Sequence, residues 1–237
     1  MIFQEDFGRL VIIFIPQLII AFSFLFIAYR LLSRNRERST ITLSLWYITD
    51  AIGLIFNAIN ALISDLYPGQ IITIHVIYFI SFYLLFTSNI FLLTFMINLI
   101  KSEFSLKRNL FYVIAYFAVC AVLIFVSGGI TLDPLNNWRP TFSWPFFIAL
   151  VVFFTIIILI PTIYYMFKLY ALFNAENLKR KFRLFMIGVY GIFITLYGAA
   201  LFNTWEYELF RTIWSIITVL ILVPSAIIIY FGIGPKL

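Results

Sequence analysis

Apolar residues gather along this chain into seven stretches, roughly 10–33, 41–64, 71–100, 109–127, 145–171, 184–203 and 210–232. Segments holding Pro, Gly, Asn or charged residues part them. A helix crosses the hydrocarbon of a bilayer with about 20 mostly apolar residues. The pattern therefore predicts an all-α membrane protein, a seven-transmembrane helix bundle forming a single domain over residues 1–237. No linker or low-complexity run interrupts it.

The second stretch breaks the apolar rule in an orderly way. Asp50, Gly53, Asn57, Asn60, Ala61 and Ser64 step by three and four, so a helix gathers them on one face. In hydrocarbon such a polar stripe must look inward. Asp50 is the ionisable residue deepest in any stretch, with Asn57, Asn60 and Asn89 of the third stretch as candidate partners and Arg38 within snorkelling reach. Two readings stand open. Asp50 is a proton- or cation-linked site or the hydrogen-bonding centre of a ligand pocket, or it is a neutral carboxyl tying its helix to a neighbour.

Charge adds the orientation. The first, third and fifth connections and the C-terminus hold thirteen of the sixteen Lys and Arg, among them Arg30, Arg34, Arg36, Arg38, Lys101, Lys107, Arg108, Lys168 and Lys236. The other three, Arg9, Arg139 and Arg211, fall on the opposite side with Glu5, Asp6, Asp65, Asp133, Glu206 and Glu208. Positive loops stay cytoplasmic, so the N-terminus is expected outside, the C-terminus in the cytoplasm, and the protein in the cell membrane. The acidic N-terminus, with no small-residue cleavage site after the first stretch, argues against a cleaved signal peptide. The net charge of +6 is explained by topology, and nucleic acid is not an expected partner. Hydrophobic residues make up 64% and charged ones 11%, against about 25% charged in soluble domains.

The residue inventory excludes much chemistry. All six lysines lie in cytoplasmic segments, so no mid-membrane Schiff base forms. One His and one Cys make a transition-metal site improbable, and no phosphate loop, zinc-protease or serine-hydrolase motif occurs. The chain is read as neither an enzyme nor a cofactor or metal carrier. His75, at the outer end of the third stretch, is read as an interfacial residue or a ligand or pH-sensing group. The outer segment from Ser127 to Pro145 is the longest connection, and in it Trp138 and Trp144 anchor a cap or frame a binding loop. Pro161 predicts a kink, Gly188, Gly191, Thr195 and Gly198 a small-residue contact face, and Glu206, Glu208 and Arg211 a solvated rim. Lys179, Arg180, Lys181 and Arg183 meet anionic headgroups or a cytoplasmic partner.

The layout resembles the seven-transmembrane sensor region that opens many archaeal and bacterial histidine kinases. The likeness rests on the exit Tyr29-Arg30-Leu31-Leu32-Ser33-Arg34-Asn35-Arg36 and on Leu45-Trp46. The unbroken aromatic third span and the run Lys179-Arg180-Lys181-Phe182-Arg183 complete it. A kinase continues past its seventh helix, whereas this sequence ends at Gly234-Pro235-Lys236-Leu237. The resemblance implies an integral membrane sensor or receptor that passes an outer-side or in-membrane ligand signal to a separate cytoplasmic signalling protein. The fifth helix would shift against the sixth, with Pro161 and the glycine face as hinge and slide. Pro16-Gln17 and Pro161-Thr162 are similar to the Pro-Gln pairs of seven-helix sugar transporters and cargo receptors. This implies the alternative, a small-solute or proton-coupled transporter using Asp50, Asn57 and Asn60. Expected partners are membrane lipids, a cytoplasmic signalling protein and a second copy in a homodimer.

Overall fold

In the computed structural model, which describes residues 2–34, 36–100 and 106–233, seven long helices follow one another. They are α1 (Ile2–Arg34), α2 (Arg38–Leu66), α3 (Ile71–Ile100), α4 (106–126), α5 (Trp144–Leu172), α6 (Glu176–Thr204) and α7 (Glu208–Ile233). Each contains a window long and apolar enough to cross a membrane. Lys101, Lys236 and the terminal Gly234–Leu237 lie outside the described residues, as do the side chains of Glu5, Asp6, Arg9, Pro16 and Arg108.

Two compact units are present, one of residues 1–92 with 105–141 and one of residues 93–104 with 142–237. Consequently α3 contributes its first part, 71–92, to one unit and its last part, 93–100, to the other.

Three elements depart from the sequence reading. The third span is not unbroken, because α3 loses its regular hydrogen bonding at Ser88, between Thr87 and Asn89. There Phe91 N–H donates to the Ser88 carbonyl, a step of three residues rather than four. Thr87, Ser88 and Asn89 all turn their side chains back onto carbonyls of the preceding turn, and such back-bonding competes with regular helix.

Pro161 gives a widened helical turn over Thr155–Leu159 rather than a simple kink. Proline lacks the N–H for the carbonyl four residues back and its ring crowds that carbonyl, which the wider turn relieves.

Helix α6 starts at Glu176, so Lys179, Arg180, Lys181 and Arg183 occupy its first two turns rather than a loop.

The connection between α4 and α5 holds a small hairpin, the one pair of strands among the described residues. Ser127 caps the end of α4, and Gly128 adopts a φ of 63° that favours glycine. Strand β1 (Ile130–Leu132) pairs with β2 (Pro140–Phe142), and the Thr131 and Thr141 hydroxyls meet at 2.6 Å. The Ser143 hydroxyl then accepts from the Phe146 N–H, and with Pro145 in the first turn it opens α5.

Candidate functional site

The polar stripe of α2 turns toward the first part of α3, residues 71–92, and both belong to the first unit. Near the end of α2 and the start of α3, Asn60 Nδ2 donates to the Ile74 carbonyl at 2.6 Å. Seven residues along each helix, the Ser81 hydroxyl donates to the Gly53 carbonyl at 2.9 Å. Further in, Ser88 Oγ donates to Asp50 Oδ1 at 2.6 Å. These are three rungs of a hydrogen-bonded ladder. Gly53 makes the middle rung possible, since a Cβ there would stand 2.7 Å from Leu85 Cγ and hold the helices apart.

The sequence reading therefore needs correcting at the partners of Asp50. Neither Asn57, Asn60 nor Asn89 pairs with its carboxyl; Ser88 does. Asn60 is committed to Ile74, and Asn89 Nδ2 bonds back to Leu85 and Phe86 within α3. Asn57 is half-buried on the stripe between Gly53 and Asn60. Arg38 is exposed, and among the described residues no ion pair reaches Asp50.

Ser88 Oγ also lies 2.9 Å from the Leu85 carbonyl. A serine hydroxyl has one proton to give. When it serves Leu85, a protonated carboxyl can donate to Ser88 in turn, so the rung forms with Asp50 in either ionisation state.

Above the ladder sits the hairpin. Asp133 caps the tight turn Pro134–Asn136, its carboxylate accepting from the Leu135 N–H at 2.8 Å. Asn137 and Trp138 then take φ values of 49° and 57°, and the Arg139 N–H closes the turn onto the Asn136 carbonyl at 3.0 Å. Left-handed backbone at a bulky residue costs roughly 1–3 kcal/mol. The Trp138 side chain is nonetheless 4% exposed, and burying about 200 Å² of indole away from water offers on the order of 5 kcal/mol. Burial wins, which is why the strained turn persists.

The indole meets the His75 ring edge-on at 5.8 Å, and His75 Nδ1 lies 2.9 Å from the Ile71 carbonyl of its own helix. His75 and Trp138 are thus brought together, while Trp144 is exposed and its ring rests against Phe147.

The second unit is held differently. Gly188, Gly191 and Gly198 press against α7, not α5: an added Cβ would meet Ile229 and Ser225 at the first, Ser225 at the second and the Trp214 ring at the third. The glycine face is therefore committed and cannot be the slide between the fifth and sixth helices. Between α5 and α6 the Thr155 and Tyr197 hydroxyls bond to each other. Arg211 is not a solvated rim residue, since its Nε donates to the Phe202 carbonyl at 3.2 Å and its guanidinium covers the Phe202 ring.

At the other end of α6, Arg180 and Arg183 are exposed, Lys179 and Lys181 are half-buried, and Arg183 pairs with Glu176 at 3.2 Å. Phe95 of α3 touches Phe185 of α6 at 5.9 Å, and Phe185 stacks on Phe182 beside those cations. Sequence periodicity could not find this contact, nor Ser88. A serine beside Thr87 and Asn89 was its only signal. Among the described residues no group of three metal-ligating side chains occurs. Set against known proteins, the chain matches no family model and no curated protein.

Proposed function

We propose that the chain is a cell-membrane protein with its N-terminus outside and its C-terminus in the cytoplasm. In this reading it serves as a sensor or receptor that passes an outer-side or in-membrane ligand signal to a cytoplasmic partner. The observation that carries the reading is the double engagement of α3. Its outer end carries His75 against Trp138 of the hairpin, and its inner end sets Phe95 against Phe185 beside Lys179–Arg183. A ligand that displaces Trp138 acts directly on the first part of α3, and the last part of that helix packs on Phe185 beside the basic turn. Such a ligand biases the helix only through its different affinity for two arrangements. The stripe bears on the transporter alternative, because Asp50 and Asn60 are each hydrogen-bonded to α3.

Orientation is tested first. With Cys120→Ala as background, an impermeant thiol reagent on intact cells should label Asn137→Cys and not Asn177→Cys. Labelling of the second reverses the topology. Coupling is tested with Arg180→Cys in proteoliposomes. Adding Trp138→Ala should change its labelling rate by about threefold or more, roughly 0.7 kcal/mol of altered equilibrium. An unchanged rate, together with solute uptake driven by a proton or ion gradient and lost in Asp50→Asn, rejects the sensor in favour of a transporter.

A further inference from the structure

The ladder between α2 and α3 leaves one position open. Its two outer rungs, Asn60 to Ile74 and Ser81 to Gly53, are separated by seven residues on each helix. Midway lie Asn57, one turn from both Gly53 and Asn60, and Tyr78, one turn from both Ile74 and Ser81. By spacing, Asn57 shares the α2 face of Gly53 and Asn60, and Tyr78 shares the α3 face of Ile74 and Ser81. Tyr78 is 5% exposed, and its buried hydroxyl has no hydrogen-bond partner. A buried hydroxyl in that state is costly and rare.

A third group lies about one turn from this depth. Phe24 of α1 packs on Trp46 and Tyr47 of α2, with ring centroids 6.2 and 5.3 Å away. Gln17 stands seven residues outward of Phe24, at the level of Gly53 and Leu54, and its buried Oε1 also lacks a partner. These groups are uncharged, and Asp50 lies two turns further in, engaged with Ser88. The position calls for a neutral group that both donates and accepts, which describes a hydroxyl.

We propose that a neutral hydroxyl binds between α2 and α3 at Asn57 and Tyr78 and completes the ladder. It comes from water or from an alcohol or lipid headgroup. This holds whether the protein is a sensor or a transporter.

Thermal unfolding of the full chain in detergent tests it. Tyr78→Phe keeps the ring and removes the hydroxyl, and is expected to lower Tm by about 2–4 °C. Asn57→Leu should lower it also, and the double variant should lose less than the sum, because both groups hold one molecule. A Tyr78→Phe protein as stable as wild type or more so overturns the proposal, since it means an unpaired hydroxyl was relieved. Strictly additive losses overturn it as well. 1-Octanol then separates the sources. A saturable rise in Tm in wild type that is absent in Tyr78→Phe assigns an alcohol or lipid hydroxyl, and equal responses of the two proteins assign water.

Discussion

Between α2 and α3, side chains reach across to make contact: Asn60 to Ile74, Ser81 to Gly53, Ser88 to Asp50. Between α6 and α7 side chains are missing, and Gly188, Gly191 and Gly198 let Ser225, Ile229 and Trp214 lie against bare backbone. Both solve one problem. Lipid tails are as apolar as leucine, so apolar burial alone does not draw helices together, and association must come from packing or hydrogen bonds. The first seam uses directional bonds that tolerate exchange of isosteric partners. The second uses shape, and shape tolerates no addition.

That contrast orders the expected effects. The largest is at Gly198, where even a Cβ overlaps the Trp214 ring. Gly198→Leu should cost about 3 kcal/mol in detergent unfolding, and Trp214→Leu in the same chain should recover part of it. Next comes Asp50→Leu, expected to cost about 1–2 kcal/mol through the lost bond to Ser88. Asp50→Asn should stay within about 0.5 kcal/mol of wild type, because an amide can still meet the hydroxyl. Ser88→Ala added to Asp50→Leu should add little, as both remove one interaction. The smallest is Ser81→Ala, at about 0.6 kcal/mol, the average for an interhelical hydrogen bond in a membrane protein. A Ser81→Ala loss equal to that of Gly198→Leu would erase the distinction between the seams.

The seven helices were legible because each stretch has the length and apolar composition that a helix needs to cross a bilayer. The stripe was legible because Asp50, Gly53, Asn57 and Asn60 repeat at helical spacing. Partners were not. Pairing Asp50 with Ser88 depends on the register of two helices, and neighbouring Asn89 has the stronger amide on paper yet turns it back along α3. The hairpin was hidden because Ile130–Leu132 and Pro140–Phe142 are too short to show a two-residue period. Nor does tryptophan advertise left-handed backbone, since it stays at Trp138 only because the indole is buried. Gly188, Gly191 and Gly198 announced close contact but not with which helix.

Two of the three rungs end on a main-chain carbonyl, that of Ile74 and that of Gly53. Every amino acid supplies a carbonyl, so a drifting lineage can replace Ile74 without touching its rung, while Asn60 must stay. Heritable information for each of these two rungs thus sits in one side chain, Asn60 on α2 for the first and Ser81 on α3 for the second, like a lock whose bolt alone is cut to pattern, although at the second Gly53 must also stay small. The Asp50–Ser88 rung differs, for both halves are side chains and a change in either must be answered by the other. Across divergent descendants this seam would show one co-varying pair, two solitary sentinels, Asn60 and Ser81, and a fixed glycine at Gly53.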